Sequence, residues 1–417
     1  MKNLPVILVA FISFMVSSIG YGAEQAEPND IRTLDDYFSY ATEHNAELAA
    51  SFEQWRSAAE QIPQAQALPD PKLTYQLETI RNPHGQTFGI MQGFPWFGVI
   101  QARTDAASAG EQAARKRYEA QQVKLFSEIK KSYYEYGYLG QQIEIAKQNL
   151  ELLKHFEEVS RMKYATSQAT HPDHIRAEIE IANSDYEVQS LERSMGPIVA
   201  KLNSLLNRPS MAVLPIPAKL EFNEIAIDPN KIAAALIQNN PEIQAVRFDM
   251  AAARSEIELA RKKFYPEIEV GIDALYDSEA TMGPGEDPLY AKIGITLPIW
   301  TSSYSAGERQ AKANLRQINS QKAQLENDLM AEVSQTIYEL QNSAKRARLY
   351  KNVLIPRAQE MLASYDASYR EGSVDFLTLI DAQRTLLKSQ LEYQKAVVEY
   401  NQSIAQIEGI IGRFLPL

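Results

Sequence analysis

The stretch Tyr304–Gly409, YSAGERQAKANLRQINSQKAQLENDLMAEVSQTIYELQNSAKRARLYKNVLIPRAQEMLASYDASYREGSVDFLTLIDAQRTLLKSQLEYQKAVVEYNQSIAQIEG, decides the fold. It reads as a long helix over 304–371, a tight reversal at Gly372, and a return helix over 374–411. Between Glu308 and Glu371 there is one proline, Pro356, and no glycine, while Ala, Gln, Glu, Lys, Arg and Leu dominate. At 1.5 Å per residue that span reaches about 96 Å, several times an ordinary globular helix. A rod of that length must lie against other rods.

Outward from it, the chain repeats itself. HNAELAA at His44 returns as NNPEIQA at Asn239, and PDPKLTYQLE at Pro69 as FYPEIEVGID around Pro266, both at an offset of 195. KYATSQATHPDHIRAEI matches SYREGSVDFLTLIDAQR at an offset of 205, which sets Tyr164 on Tyr369 and Ala177 on Ala382. The first repeat, 24–210, comprises a helix from Leu34 to Ala67 bent near Pro63, strands at 71–80 and 86–95, a long helix at 101–165 and a return helix at 175–207. A proline-rich linker, 211–228, leads to the second repeat, 229–417, with a helix, strands at 266–276 and 289–298, and the two helices already described.

The strands carry a period of two. Leu73, Tyr75 and Leu77 alternate with Lys72, Thr74 and Gln76; Ile268, Val270 and Ile272 oppose Glu269 and Gly271; Ile293, Ile295 and Leu297 oppose Lys292, Gly294 and Thr296. About ten residues with one apolar face is the length of a membrane-crossing strand. Phe94, Trp96, Phe97, Trp300 and Tyr304 lie where an aromatic belt would sit, although such rings can also cap a soluble core.

Composition narrows the classes. There is no cysteine, hence no disulfide, thiolate metal site or lipidated N-terminal Cys, and 53 acidic against 42 basic residues argue against nucleic acid as a partner. Residues 1–23 read as a secretory signal: Lys2, then an apolar run from Pro5 to Ile19, with cleavage after Gly22, Ala23 or Ala26. Beyond it no stretch of 18 apolar residues occurs, so an exported chain of this kind is soluble, secreted or inserted as strands. Four strands cannot close a barrel in lipid, where open sheet edges are forbidden. Three copies supply twelve. The expected fold is mainly α with transmembrane β, a trimer forming a 12-stranded β-barrel on a long α-helical barrel. A competing reading from another class is an exported structural coiled-coil protein with two hairpins.

The order and duplication of NPEIQA, PEIEVG, GITLPIW, AGERQAKANL, LNSLLNRP and YREGSVDFLTLIDAQRTLLKSQLEYQKAVVEYNQSIAQIEGIIG resemble the TolC-like outer membrane efflux proteins over nearly the whole mature chain. ALPDPKL and GFPWFGVIQARTDAA resemble the branch serving heavy-metal cation exporters. The resemblance implies a homotrimer in outer-membrane lipid, with a periplasmic adaptor protein and a proton-driven inner-membrane pump as partners. It implies a passive exit duct, for heavy-metal cations or else for drugs or secreted proteins, with no enzymatic activity and no cofactor.

In that family acidic side chains ring the periplasmic constriction. Matched on YREG…DAQ, Asp381 falls on one acidic position and Thr378 on another, where threonine is a departure; Asp375, one turn nearer the tip, is either a partial replacement or the N-cap of the return helix. Asp381 has the alternative of being merely solvated or paired. Tyr369 and Arg370 are expected to tie the closed state together, with Arg176 as partner of Asp381. The reversals Gly372, Ser373 and Val374, with Gln168, Ala169 and Thr170, are expected to meet the adaptor. His171 and His174 beside Asp173 have the residue types of a cation site, but polar loop residues without a ligand are commoner, and no metal site is assigned.

Overall fold

The computed structural model describes residues 31–77, 85–166, 170–218, 220–277 and 289–413. The signal segment, and Gln168 and Ala169 of the first reversal, lie outside them. Helices α1 (Leu34–His44), α2 (Ala46–Ala59) and α3 (Gln61–Gln66) precede strands β1 (Lys72–Leu77) and β2 (Gly85–Phe94). Helices α4 (Val99–Ala165) and α5 (His171–Leu205) complete the first repeat. The second runs α6 (Pro229–Asn239), α7 (Pro241–Lys262), β3 (Ile268–Asp277), β4 (Leu289–Ile295), α8 (Thr301–Leu349), α9 (Ile355–Glu371) and α10 (Phe376–Ile411).

α4 is the axis. Its 67 residues span about 100 Å and pack on α2 and α3, α5, α7 and α10. The shorter helices run end to end beside it, and one residue type makes each joint. Asn45 is extended; its Oδ1 accepts the Leu48 amide at 2.8 Å, starting α2, and its Nδ2 donates to the Leu205 carbonyl at 2.8 Å, finishing α5. Asn240 does the same for α7 and α10, at 2.9 Å to Ile243 and 2.7 Å to the Ile410 carbonyl. These partners stand at the same two offsets, 195 and 205, that align the repeats. Both asparagines are buried, so each carries orphan groups of two helix ends that no water would satisfy.

The expected continuity fails in two places. The leading helix breaks at Asn45 and Glu60, while Pro63 sits inside α3 without ending it. The rod at 304–371 is split by a π turn over Tyr350–Leu354, in which Ile355 N–H reaches the Tyr350 carbonyl. Pro356 is the cause: it offers no amide, and its ring would strike the carbonyl four residues back, so the chain widens by one residue ahead of it. The first return helix starts at His171, not 175, because Pro172 is tolerated in a first turn. The segment 211–218 crosses α4 where Gly137 and Gly140 leave a notch; a Cβ on Gly140 would lie 2.6 Å from Ile216.

The strands form one antiparallel sheet in chain order, with the two repeats joined by β2–β3. Register places Leu73 opposite Ile90, Ile90 opposite Ile272, and Val270 opposite Ile293. One face is therefore apolar across all four strands, and it is exposed: Leu73 81%, Phe88 50%, Ile272 48%, Ile293 75%. The other face carries Lys72 paired to Glu269 at 2.8 Å and Lys292 paired to Asp273. No described helix is long and apolar enough to cross a membrane.

Replacing Asn240 by Ala removes a cap and leaves a buried carbonyl unbonded, so stability should fall by about 2 kcal/mol. Asn319→Ala, which removes only an exposed bond to the Leu315 carbonyl, should leave it unchanged. Chemical unfolding of both variants checks this; equal effects would contradict the joint.

Candidate functional site

At the end remote from the sheet, α4 turns into α5 and α9 into α10. A small core holds both reversals: Leu153 and Phe156 of α4, Ala177 of α5, Tyr369 of α9, and Phe376, Leu379 and Ile380 of α10, all buried. Tyr369 and Phe376 meet at 5.6 Å between ring centres. The second reversal is a helix stop made by three hydrogen bonds. Gly372, at φ 81°, donates to the Tyr369 carbonyl, and the Ser373 amide and hydroxyl both reach the Ser368 carbonyl at 3.0 Å. Val374 packs on the core beside it.

Asp375 is the N-cap of α10. Its carboxylate accepts the Thr378 hydroxyl at 2.6 Å and the Thr378 amide at 2.9 Å, so Thr378 completes a cap. The Thr378 hydroxyl, then its amide, and further off the Arg176 charge hold that carboxyl below the usual carboxylate range. In the first reversal Thr170 and Asp173 close the matching bond, 2.7 Å from hydroxyl to carboxylate. Asp173 is thereby engaged in a cap. His174 lies 3.5 Å from both Glu157 and Glu178, one at each ring nitrogen, and no described cluster of three ligands could hold a metal ion.

The pairing expected between Arg176 and Asp381 is not formed. Asp381 is exposed and stands 3.6 Å from Arg384, one turn along its own helix, and Arg384 reaches across to Glu180 of α5 at 2.5 Å. Helical periodicity explains the correction: a residue three positions away reaches Asp381 at no cost in chain entropy. Arg370 binds Asp366 at 2.9 Å and approaches His155 of α4 at 3.3 Å. Tyr369 is buried, which raises its phenol pKa, offset in part by the nearby Ser160 hydroxyl. Lys163 was not singled out in the sequence; it is buried on the last turn of α4 and donates to the Tyr369 carbonyl.

At the opposite end, Trp96 stacks on Tyr265 at 5.3 Å and Tyr304 meets Phe264 at 5.7 Å. Phe94, Phe97 and Trp300 are exposed there. Tyr265 and Phe264, absent from the sequence reading, belong to the same junction of sheet and helices.

The family described as outer membrane efflux protein matches residues 38–208 and 233–413, once for each repeat. The cobalt-zinc-cadmium resistance protein CzcC of Cupriavidus metallidurans is 23% identical over 391 residues, covering 91% of this chain and 90% of its own. Nodulation protein T of Rhizobium leguminosarum bv. trifolii is 25% identical over 76% of this chain and 69% of its own. Among solved structures, the outer membrane protein VceC of Vibrio cholerae superposes with a TM-score of 0.78 at 17% identity, over 91% of this chain and 96% of that one. That likeness shows a shared fold.

Because the Asp375 carboxyl titrates below its ordinary value, its cap stabilises the reversal above that value and the contribution is lost as pH falls through the lowered one. The melting-temperature gap between wild type and Asp375→Ala should be full near neutral pH and close in strong acid. A gap that persisted in acid would contradict the charged cap.

Proposed function

We propose that this chain, which belongs to the outer membrane efflux protein family, assembles as a homotrimer and carries heavy-metal cations out of the cell. As a member of that family it is the outer-membrane channel component of a tripartite efflux system, a passive conduit and not an enzyme, with a large helical part in the periplasm. The observation that carries the trimer is the sheet. Its apolar face is exposed on all four strands while β1 and β4 each keep an unpaired edge, which lipid does not tolerate. Three sheets joined edge to edge give twelve strands, with the Lys72–Glu269 and Lys292–Asp273 pairs turned to the water-filled side and the rings at Trp96 and Trp300 at one rim.

The constriction in this reading lies at the helical tip. Threefold symmetry gathers the exposed Asp381 carboxylates around the axis, with Thr378 one turn and Asp375 nearly two turns nearer the end, and raises the negative potential there. Tyr369, Arg370 and Arg176 belong to the same tip, with Arg370 bound to Asp366 and Arg176 near enough to act on the Asp375 charge. The reversals at Gly372, Ser373, Val374 and Thr170 face an adaptor protein whose inner-membrane pump, proton-driven, supplies the energy. The cargo assignment is supported by the near full-length likeness to a cobalt-zinc-cadmium resistance protein.

Purified trimers in a planar bilayer should give a small cation-selective conductance, and Asp381→Ala should lower the selectivity while preserving the pore. Unchanged selectivity would move the constriction elsewhere; an exported structural protein would give no pore with or without adaptor. Deleting the gene should sensitise cells to zinc, cobalt or cadmium; sensitivity to drugs alone would reassign the cargo.

A further inference from the structure

Lys163 is an unusual residue to bury. Its ammonium has no carboxylate partner among the described residues. It donates to the Tyr369 carbonyl, lies 4.8 Å from the centre of the Tyr369 ring, and would lie 3.9 Å from a methyl group placed on Gly372. Burying an ammonium is costly unless its hydrogen-bonding capacity is met. Here the acceptor is one of the last carbonyls of α9, at the negative end of that helix, and the ring face adds a cation–π contact. The cation capping α9 therefore comes from the other repeat.

The arrangement is one-sided. At the offset of 205, Lys163 corresponds to Ser368 and Tyr164 to Tyr369. No bond from the Ser368 side chain to the first reversal is present among the described residues; its carbonyl serves Ser373. Tyr164 is 46% exposed where Tyr369 is buried. A contact needed merely to turn a hairpin would be expected in both halves, as the asparagine joints are. This one exists once, and it connects the two hairpins.

Besides the shared apolar core and the Ser160 hydroxyl beside Tyr369, two charged side-chain contacts among the described residues link the hairpins at this level: Arg370 with His155, and Arg384 with Glu180. Both arginines are about half exposed, so salt and water screen them. The Lys163 contact is shielded from both.

We propose that Lys163 is the gate-positioning residue of this channel. It pins the α9–α10 hairpin to the end of α4 in the closed state, and opening requires its ammonium to leave the Tyr369 carbonyl. The proposal rests on the reading that the helical tip is the constriction. It makes the closed state of the wild type resistant to salt, because the screened pairs are not what holds it.

The test is single-channel recording on full-length trimers, comparing wild type, Lys163→Met, Lys163→Arg and Arg384→Ala at low and high salt, with detergent-stable trimer content measured in parallel. Losing a buried charged hydrogen bond should raise the open-to-closed ratio of Lys163→Met by about tenfold or more. Lys163→Arg should stay near wild type. Arg384→Ala should open the channel modestly at low salt and match wild type at high salt.

Because the chain has no cysteine, Lys163→Cys can be aminoethylated while unfolded, which rebuilds a lysine-like ammonium at that one position. The refolded product should close again; a side chain needed only for packing would not depend on the charge. Lys163→Met trimers that gate like wild type while Arg384→Ala opens would overturn the role of Lys163 and leave the tip as the gate. No change in either variant would overturn both.

Discussion

The structure depends on a joint between helix ends. A helix leaves amides unbonded at its start and carbonyls at its end, and burying either without a partner is expensive. At Asn45 and Asn240 a single carboxamide meets both needs, since its oxygen accepts from the helix beginning and its nitrogen donates to the helix finishing. Two half-length helices thereby run as one rod beside α4. The equal height of the wall follows, and with it the separation of strands at one end from reversals at the other. The buried Lys130–Glu408 pair, at 2.5 Å, ties α4 to α10 between the repeats.

Much of this was legible because periodicity records environment. Alternation in KLTYQL and IEVGID identified the apolar sheet face, and the duplication at offsets of 195 and 205 ordered the helices. The long rods were readable because proline is absent from one and occurs once in the other. What escaped depends on contacts between distant residues. Asn45 looks like any polar residue in a helical run until the Leu205 carbonyl is brought to it. The π turn at Tyr350–Leu354 follows from Pro356, but a proline in a rod can also kink it, and sequence does not choose. Asp375 had two readings and is a cap; Asp381 was paired with Arg176 by repeat register, yet a closer arginine on its own helix takes it. Lys163 lies in a charged, helix-ending stretch where a lysine draws no notice, and its acceptor is 206 residues away.

The electrostatics of the two ends differ in kind. On the sheet's polar face Glu269 is paired to Lys72 and Asp273 to Lys292. At the tip Asp381 is exposed 3.6 Å from Arg384, while the cap at Asp375 holds that carboxyl below its usual range.

The central claim, that each chain supplies one third of a closed wall, is tested most directly by electron cryomicroscopy of the protein extracted from outer membrane in mild detergent. The account predicts a hollow particle of threefold symmetry: twelve strands at one end, a helical cylinder about 100 Å long, and a tip narrowed at Asp381. A monomer with β1 and β4 unpaired, or a symmetry other than threefold, would contradict it.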